Sequence, residues 1–77
     1  MSLAFNYRHL YYFWVVAKEG GMSRAAERLD MAVQTVSAQV RELERDLGCQ
    51  LLKPAGRGLA LTEAGIAALQ QAEQIFQ

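Results

Sequence analysis

Apolar residues recur at helical spacing in several separate stretches of this chain, and the order of those stretches is its most informative property. From Val33 the apolar positions are Val33, Val36, Val40, Leu43 and Leu47, at intervals of 3, 4, 3 and 4 residues, and Gly48 follows as a left-handed stop. That spacing predicts an amphipathic helix over 33–47, buried along one stripe. Upstream, Leu10, Phe13, Trp14 and Ala17 share a narrow stripe of a helix over 7–19, capped by Asn6 and closed by Gly20 and Gly21. Tyr7, Tyr11 and Tyr12 fall outside that stripe. Between these two helices, Ser23 precedes Arg24-Ala25-Ala26-Glu27-Arg28-Leu29, which predicts a helix of under two turns with Ser23 as its cap. Ala25 and Ala26 are small enough to let another helix approach closely. Asp30-Met31-Ala32 then breaks the period, with Met31 as the apolar plug beneath the turn. A short helix, a tight turn and a longer amphipathic helix make a helix-turn-helix, a layout that sets one helix in a DNA groove.

After Gly48 the period changes. Gln50-Leu51-Leu52 and Leu59-Ala60-Leu61 flank Lys53-Pro54-Ala55-Gly56-Arg57-Gly58, which predicts a small β-hairpin with Arg57 at its tip. Helical spacing resumes at Thr62, the expected cap of a last helix, with Glu63 beside the positive end of the dipole. Over 63–76 only Glu63, Gln70, Gln71 and Gln74 form a polar arc. The apolar remainder is wider than packing on one domain needs. A symmetric dimer through this helix is therefore expected, with Ala64, Ala68, Leu69, Ala72, Ile75 and Phe76 in the seam and Tyr12 and Val16 joining it from the back of the first helix. The pattern breaks off at Gln77, so the chain is expected to be cut from a longer protein.

The architecture predicted is mainly α with a small β-hairpin: a winged helix-turn-helix over 1–61, followed over 62–77 by the start of a long linker helix. Seventy-seven residues lie near the lower limit for a core that folds unaided, so a partner chain would help. Hydrophobic residues are 52% and charged residues 21%, a globular balance. Eight basic and eight acidic residues cancel, which argues against simple electrostatic binding of nucleic acid and makes the placement of charge decisive. Glu42, Glu44 and Asp46 gather late in the 33–47 helix, whereas Arg24, Arg41, Lys53 and Arg57 fall where a phosphate backbone could be met. The lone Cys49 has no internal disulfide partner and reads as a small packed residue. No apolar run is long enough for a membrane span, and Met1 to Leu10 lacks a signal-peptide layout, so a cytoplasmic location is expected. His9 has no second ligand at metal spacing and reads as a polar surface residue. No carboxylate pair, Cys/His pair or Ser/His/Asp set falls at workable spacing, so neither an enzyme nor a cofactor is expected.

Opposite the apolar stripe of 33–47 lie Gln34, Ala38, Arg41 and Arg45, flanked by Thr35 and Ser37. Gln34 is by chemistry a bidentate adenine reader. Thr35 and Ser37 can meet bases, thymine methyls or phosphates, and Arg41 can reach guanine or the backbone. The same residues would equally serve as an ordinary wet helix face, although the short side chains near the helix start suit close docking. Gly56-Arg57-Gly58 is open in the same way. It is either a flexible turn or a backbone kept thin so that an arginine enters a minor groove. The aromatic residues of the first helix could stack on single-stranded bases, but their helical spacing favours core and interface packing.

Taken together, Leu10 with Tyr12-Phe13, Glu19-Gly20, Ala25-Ala26-Glu27-Arg28-Leu29, Ser37, Gln39 to Arg41, Leu43-Glu44, Leu47-Gly48, Leu51, Gly56-Arg57-Gly58 and Leu61-Thr62-Glu63-Ala64-Gly65 resemble the amino-terminal domain of LysR-type transcriptional regulators, across essentially the whole chain. Leu10 to Trp14, Lys18-Glu19-Gly20, Gln34-Thr35 and Gly56 to Leu59 look most like the subgroup that activates sodium/proton antiporter genes. The resemblance implies a bacterial, sequence-specific binder of double-stranded DNA, dimeric through the last helix and tetrameric at full length. It also implies an effector-sensing domain beyond residue 77, which would hold any small-molecule or ion ligand. It puts Ser23, Arg24, Gln34, Thr35, Ser37, Ala38, Arg41, Lys53 and Arg57 near DNA, with the 33–47 helix in the major groove and the 53–58 wing at the adjacent minor groove. The alternative is a winged-helix assembly module that ignores DNA. Four positions depart from the family's habit: Ala32 where Ser or Thr caps the recognition helix, Val33 for Gln or Pro, Ala38 for Arg or Gly, and Pro54 for a wing Arg. Each removes polar reach, so binding weaker or more dependent on DNA shape is expected.

Overall fold

A helix covered from three sides organises the domain. In the computed structural model, which describes residues 6–76, α1 (Tyr7–Glu19) packs against α2 (Met22–Leu29), α3 (Val33–Leu47) and α4 (Glu63–Phe76). Residues 1–5, half of the stretch read above as lacking a signal-peptide layout, and the break at Gln77 lie outside the described residues. The Asn6 side chain accepts the Arg8 amide at 2.7 Å to start α1, and Gly20, at φ 83°, ends it by donating to the Val16 carbonyl. With neighbours on three sides, α1 is buried on more than one stripe. Leu10, Phe13, Val15 and Val16 are all enclosed, while Trp14 and Ala17 are half-buried. This corrects the expectation for Val16, which at 1% exposure belongs to the core and has no surface to offer a partner.

The helix-turn-helix forms with two corrections. Helix α2 begins at Met22 behind Gly21, with no side-chain cap, and its first bond runs from the Ala25 amide to the Gly21 carbonyl. Ser23 is thus an exposed residue of the first turn and not the cap, and the helix is 8 residues long, more than the two turns expected as a limit. Ala25 and Ala26 are buried, Asp30 adopts the left-handed conformation that ends the helix, and Met31 packs on the core beneath the turn. In α3, Val36, Val40 and Leu43 are fully enclosed, Leu47 is half-buried, and Gly48 closes the helix. The predicted stripe fails at Val33, which is 42% exposed because it stands at the first turn of the helix, beyond the edge of the core.

The hairpin pairs β1 (Leu52–Ala55) with β2 (Gly58–Leu61), antiparallel, with Leu52 opposite Leu61 and Ala55 opposite Gly58. Lys53, Pro54 and Ala55 therefore belong to a strand and not to the loop, and Gln50 and Leu51 precede it. Pro54 is tolerated because each strand of a two-stranded ribbon keeps one free edge. The turn is Gly56-Arg57, with positive φ at Gly56 alone, the pattern of a type II′ hairpin.

Leu51 is the joint between hairpin and helices. The Glu44 carboxylate accepts the amides of Leu51 and Leu52 at 2.8 and 3.2 Å, and the Leu51 carbonyl accepts the Thr62 amide. Thr62 caps α4 as expected: its Oγ1 accepts the Gly65 amide at 2.9 Å and donates to the Gln50 carbonyl. A Cβ on Gly65 would overlap the Leu51 carbonyl oxygen, so only glycine lets α4 lie this close. Farther along, α4 is tied to α1 by Glu73, which accepts from Trp14 Nε1 at 3.2 Å and pairs with Lys18 at 2.8 Å, and by Phe76, whose ring packs on Tyr11 and Trp14. Ala72 is 0% exposed against this core, so it too drops out of the expected dimer seam. Two smaller expectations are also corrected. Cys49 is exposed, at the rim of an apolar groove between α4 and the end of α3, and His9 is half-buried with its Nδ1 enclosed and unbonded.

Candidate nucleic-acid interface

Ion pairing separates the basic residues into two sets. Lys18 pairs with Glu73, Arg28 with Glu19 at 3.0 Å and Arg45 with Glu42 at 2.6 Å. Among the described residues, Arg8, Arg24, Arg41, Lys53 and Arg57 have no carboxylate partner. Glu44, which the sequence places in an acidic cluster, spends its carboxylate on the two backbone amides at the hairpin root. Formal neutrality therefore hides an uneven distribution: much of the acidic charge is engaged, and four of the five free cations are those read above as backbone contacts.

The geometry joins some of these residues and separates others. Arg24 and Arg57 line one groove of about 390 Å³ with Gly21, Ser23 and Gly58, so the start of α2 and the wing tip are neighbours. Lys53 sits opposite Ala60, toward the hairpin root, so the wing carries a cation at each end. On α3, Gln34, Ala38 and Arg41 are exposed on one face, with Thr35 exposed on one flank and Ser37 half-buried on the other. Among the described residues, the side chains of Gln34, Thr35 and Ser37 have no hydrogen-bond partner, so their donors and acceptors are open to solvent or a ligand. Arg45, on the same outer face two turns farther along, is held by Glu42. The outer surface of α3 is thus free at its N-terminal end and satisfied at its C-terminal end.

Two residues stand where sequence patterns do not put them. Periodicity places Val33 in the core, but at the first turn of α3 it is exposed. Glu44 carries no local sign of its role, because its partners are seven and eight residues away across a glycine stop. Among the described residues no group of His, Cys, Asp and Glu could hold a metal ion, and no helix is long and apolar enough to cross a membrane.

A three-helix body with a recognition-type third helix, a hairpin beside it and a long last helix defines a winged helix-turn-helix. Comparison with known proteins places it further. Residues 7–66 match the family described as "Bacterial regulatory helix-turn-helix protein, lysR family". The chain is 46% identical over 71 residues to the transcriptional activator protein NhaR of Escherichia coli (strain K12), covering 92% of this chain and 24% of that protein. Among solved structures it superimposes with a TM-score of 0.86 on the CbnR_DBD-DNA complex, at 42% identity, covering 92% of this chain and 82% of that one. On the BenM_DBD/benA site 1 DNA complex the TM-score is 0.86 at 35% identity, with 92% and 83% covered. The chain belongs to the lysR family of bacterial regulatory helix-turn-helix proteins, and its fold is that family's winged-helix DNA-binding domain. It spans about a quarter of the length of the curated relatives it matches, which are themselves transcriptional regulators.

Proposed function

We propose that this chain is the DNA-reading part of a LysR-type transcriptional regulator and binds duplex DNA sequence-specifically as a dimer. In this reading α3 enters the major groove with Gln34, Thr35, Ser37, Ala38 and Arg41 toward the base edges. Ser23 and Arg24 meet the backbone beside it, and Lys53 and Arg57 meet the backbone and the adjacent minor groove. The observation that carries it is the absence of carboxylate partners at Arg24, Arg41, Lys53 and Arg57 while the other outer-face cation, Arg45, is neutralised. Solved DNA complexes of close structural neighbours support the same reading. The dimer runs through α4, where Ile66 and Ile75 are 48% and 47% exposed and Ala64, Ala68, Leu69 and Phe76 are half-buried, with Tyr12 at its margin. Acting on chromosomal DNA, the regulator works in the cytoplasm.

Selecting bound duplexes from a random pool tests this directly. The expected product is an inverted repeat. If the four cations of each protomer neutralise one phosphate apiece, log affinity falls with log salt at a slope of about −7. A flat salt response from a chain that still dimerises would replace DNA reading with an assembly role.

A further inference from the structure

Resting on that reading, we propose that Val33 is a specificity residue of the interface, an apolar contact for the 5-methyl group of a thymine in the major groove. Five large hydrophobic residues are exposed among the described ones: Tyr7 and Tyr11 on α1, Ile66 and Ile75 on α4, and Val33. Only Val33 lies on α3, beside the unused side chain of Gln34 and one helical turn from Ser37. Buried, it would have been a core residue. At 42% exposure it is an apolar surface at the end of the helix that docks deepest.

The chemistry selects one base. Thymine alone presents an apolar group in the major groove, and every other edge there is a donor, an acceptor or a bare ring carbon. A valine offers neither donor nor acceptor, so it gains only by covering that methyl, and it loses by displacing water from a polar edge. Its β-branch holds χ1 nearly fixed on a helix, so little rotamer freedom is lost on contact. The neighbours Thr35, Ser37 and Ala38 are short, which lets the helix sit close enough for a three-carbon side chain to reach. Binding by hydrogen bonds at Gln34 and by packing at Val33 would read two adjacent features of one half-site.

The test replaces each thymine of the selected duplex in turn with uracil, which keeps the pairing edge and removes only the methyl. Binding is measured for the unaltered chain and for Val33→Ser, a change at an exposed position that removes both γ-methyl groups. One position per half-site is expected to weaken the unaltered chain about fourfold, the factor for one buried methyl, and to leave Val33→Ser unchanged. Uracil tolerance at every position by a chain that still prefers its selected sequence overturns the role of Val33 and leaves DNA reading standing. So does an equal loss in both proteins, which would assign the methyl to another residue. A pool that yields no preferred duplex removes the underlying reading and this contact with it.

Discussion

The two ends of α3 share a helix but not a chemistry. At the N-terminal end, Ala32 gives no side-chain cap, Val33 is uncovered, and the side chains of Gln34, Thr35 and Ser37 have no hydrogen-bond partner among the described residues. At the C-terminal end, Arg45 is paired, Gly48 closes the helix with two backbone bonds, and Glu44 holds the hairpin root by two amides. One end is therefore open to a ligand and the other is spent on the fold. Polar groups on an exposed face that have no internal partner bind water and can exchange it for a ligand, whereas the same groups satisfied internally hold the fold together.

Substitutions at the two ends should separate accordingly. The largest effect is expected at the joint itself: Gly65→Ala forces a methyl into the Leu51 carbonyl and should lower stability by about 3 kcal/mol in denaturant unfolding. Glu44→Ala leaves two partly buried amides without their charged acceptor and should cost about 2 kcal/mol by the same measurement. Gln34→Ala should do the reverse. Its unfolding midpoint stays put, while discrimination at one base pair per half-site falls by about 1.5 kcal/mol in competition binding. Arg45→Ala, removing an exposed pair, should change stability by less than about 0.5 kcal/mol and leave the salt slope of binding untouched. A loss of affinity there comparable to that of Arg41→Ala would erase the distinction between the ends.

Much of this was legible along the chain. The Asn6 and Thr62 caps, the Gly20 and Gly48 stops, the Met31 plug and the hairpin with Arg57 at its tip are local events, each set by a few neighbouring residues. What periodicity misplaced depends on distant neighbours. Val16 and Ala72 are enclosed in a domain whose first helix is covered on three sides, so a single-stripe projection puts them outside. Val33 keeps the right phase, but the core ends before it. Ser23 looks like a cap because of its chemistry, and Gly21 takes the position one residue before Met22. Glu44 and Gly65 matter only because Leu51 comes between them, a meeting no local pattern encodes. In the candidate site, residue types pointed to the free cations, but which cations were free depended on ion pairs made across 3 to 55 positions of sequence.

The clamp on Leu51 has a mechanical consequence. With one carboxylate gripping the root of the hairpin and a glycine-thin contact holding the last helix against Leu51, the base of the arm that carries Arg57 is fixed relative to α3, like the hinge end of a calliper. In the proposed complex an operator whose grooves do not match the span between α3 and that arm would have to bend or be left behind, so that the stiffness of the DNA itself enters recognition.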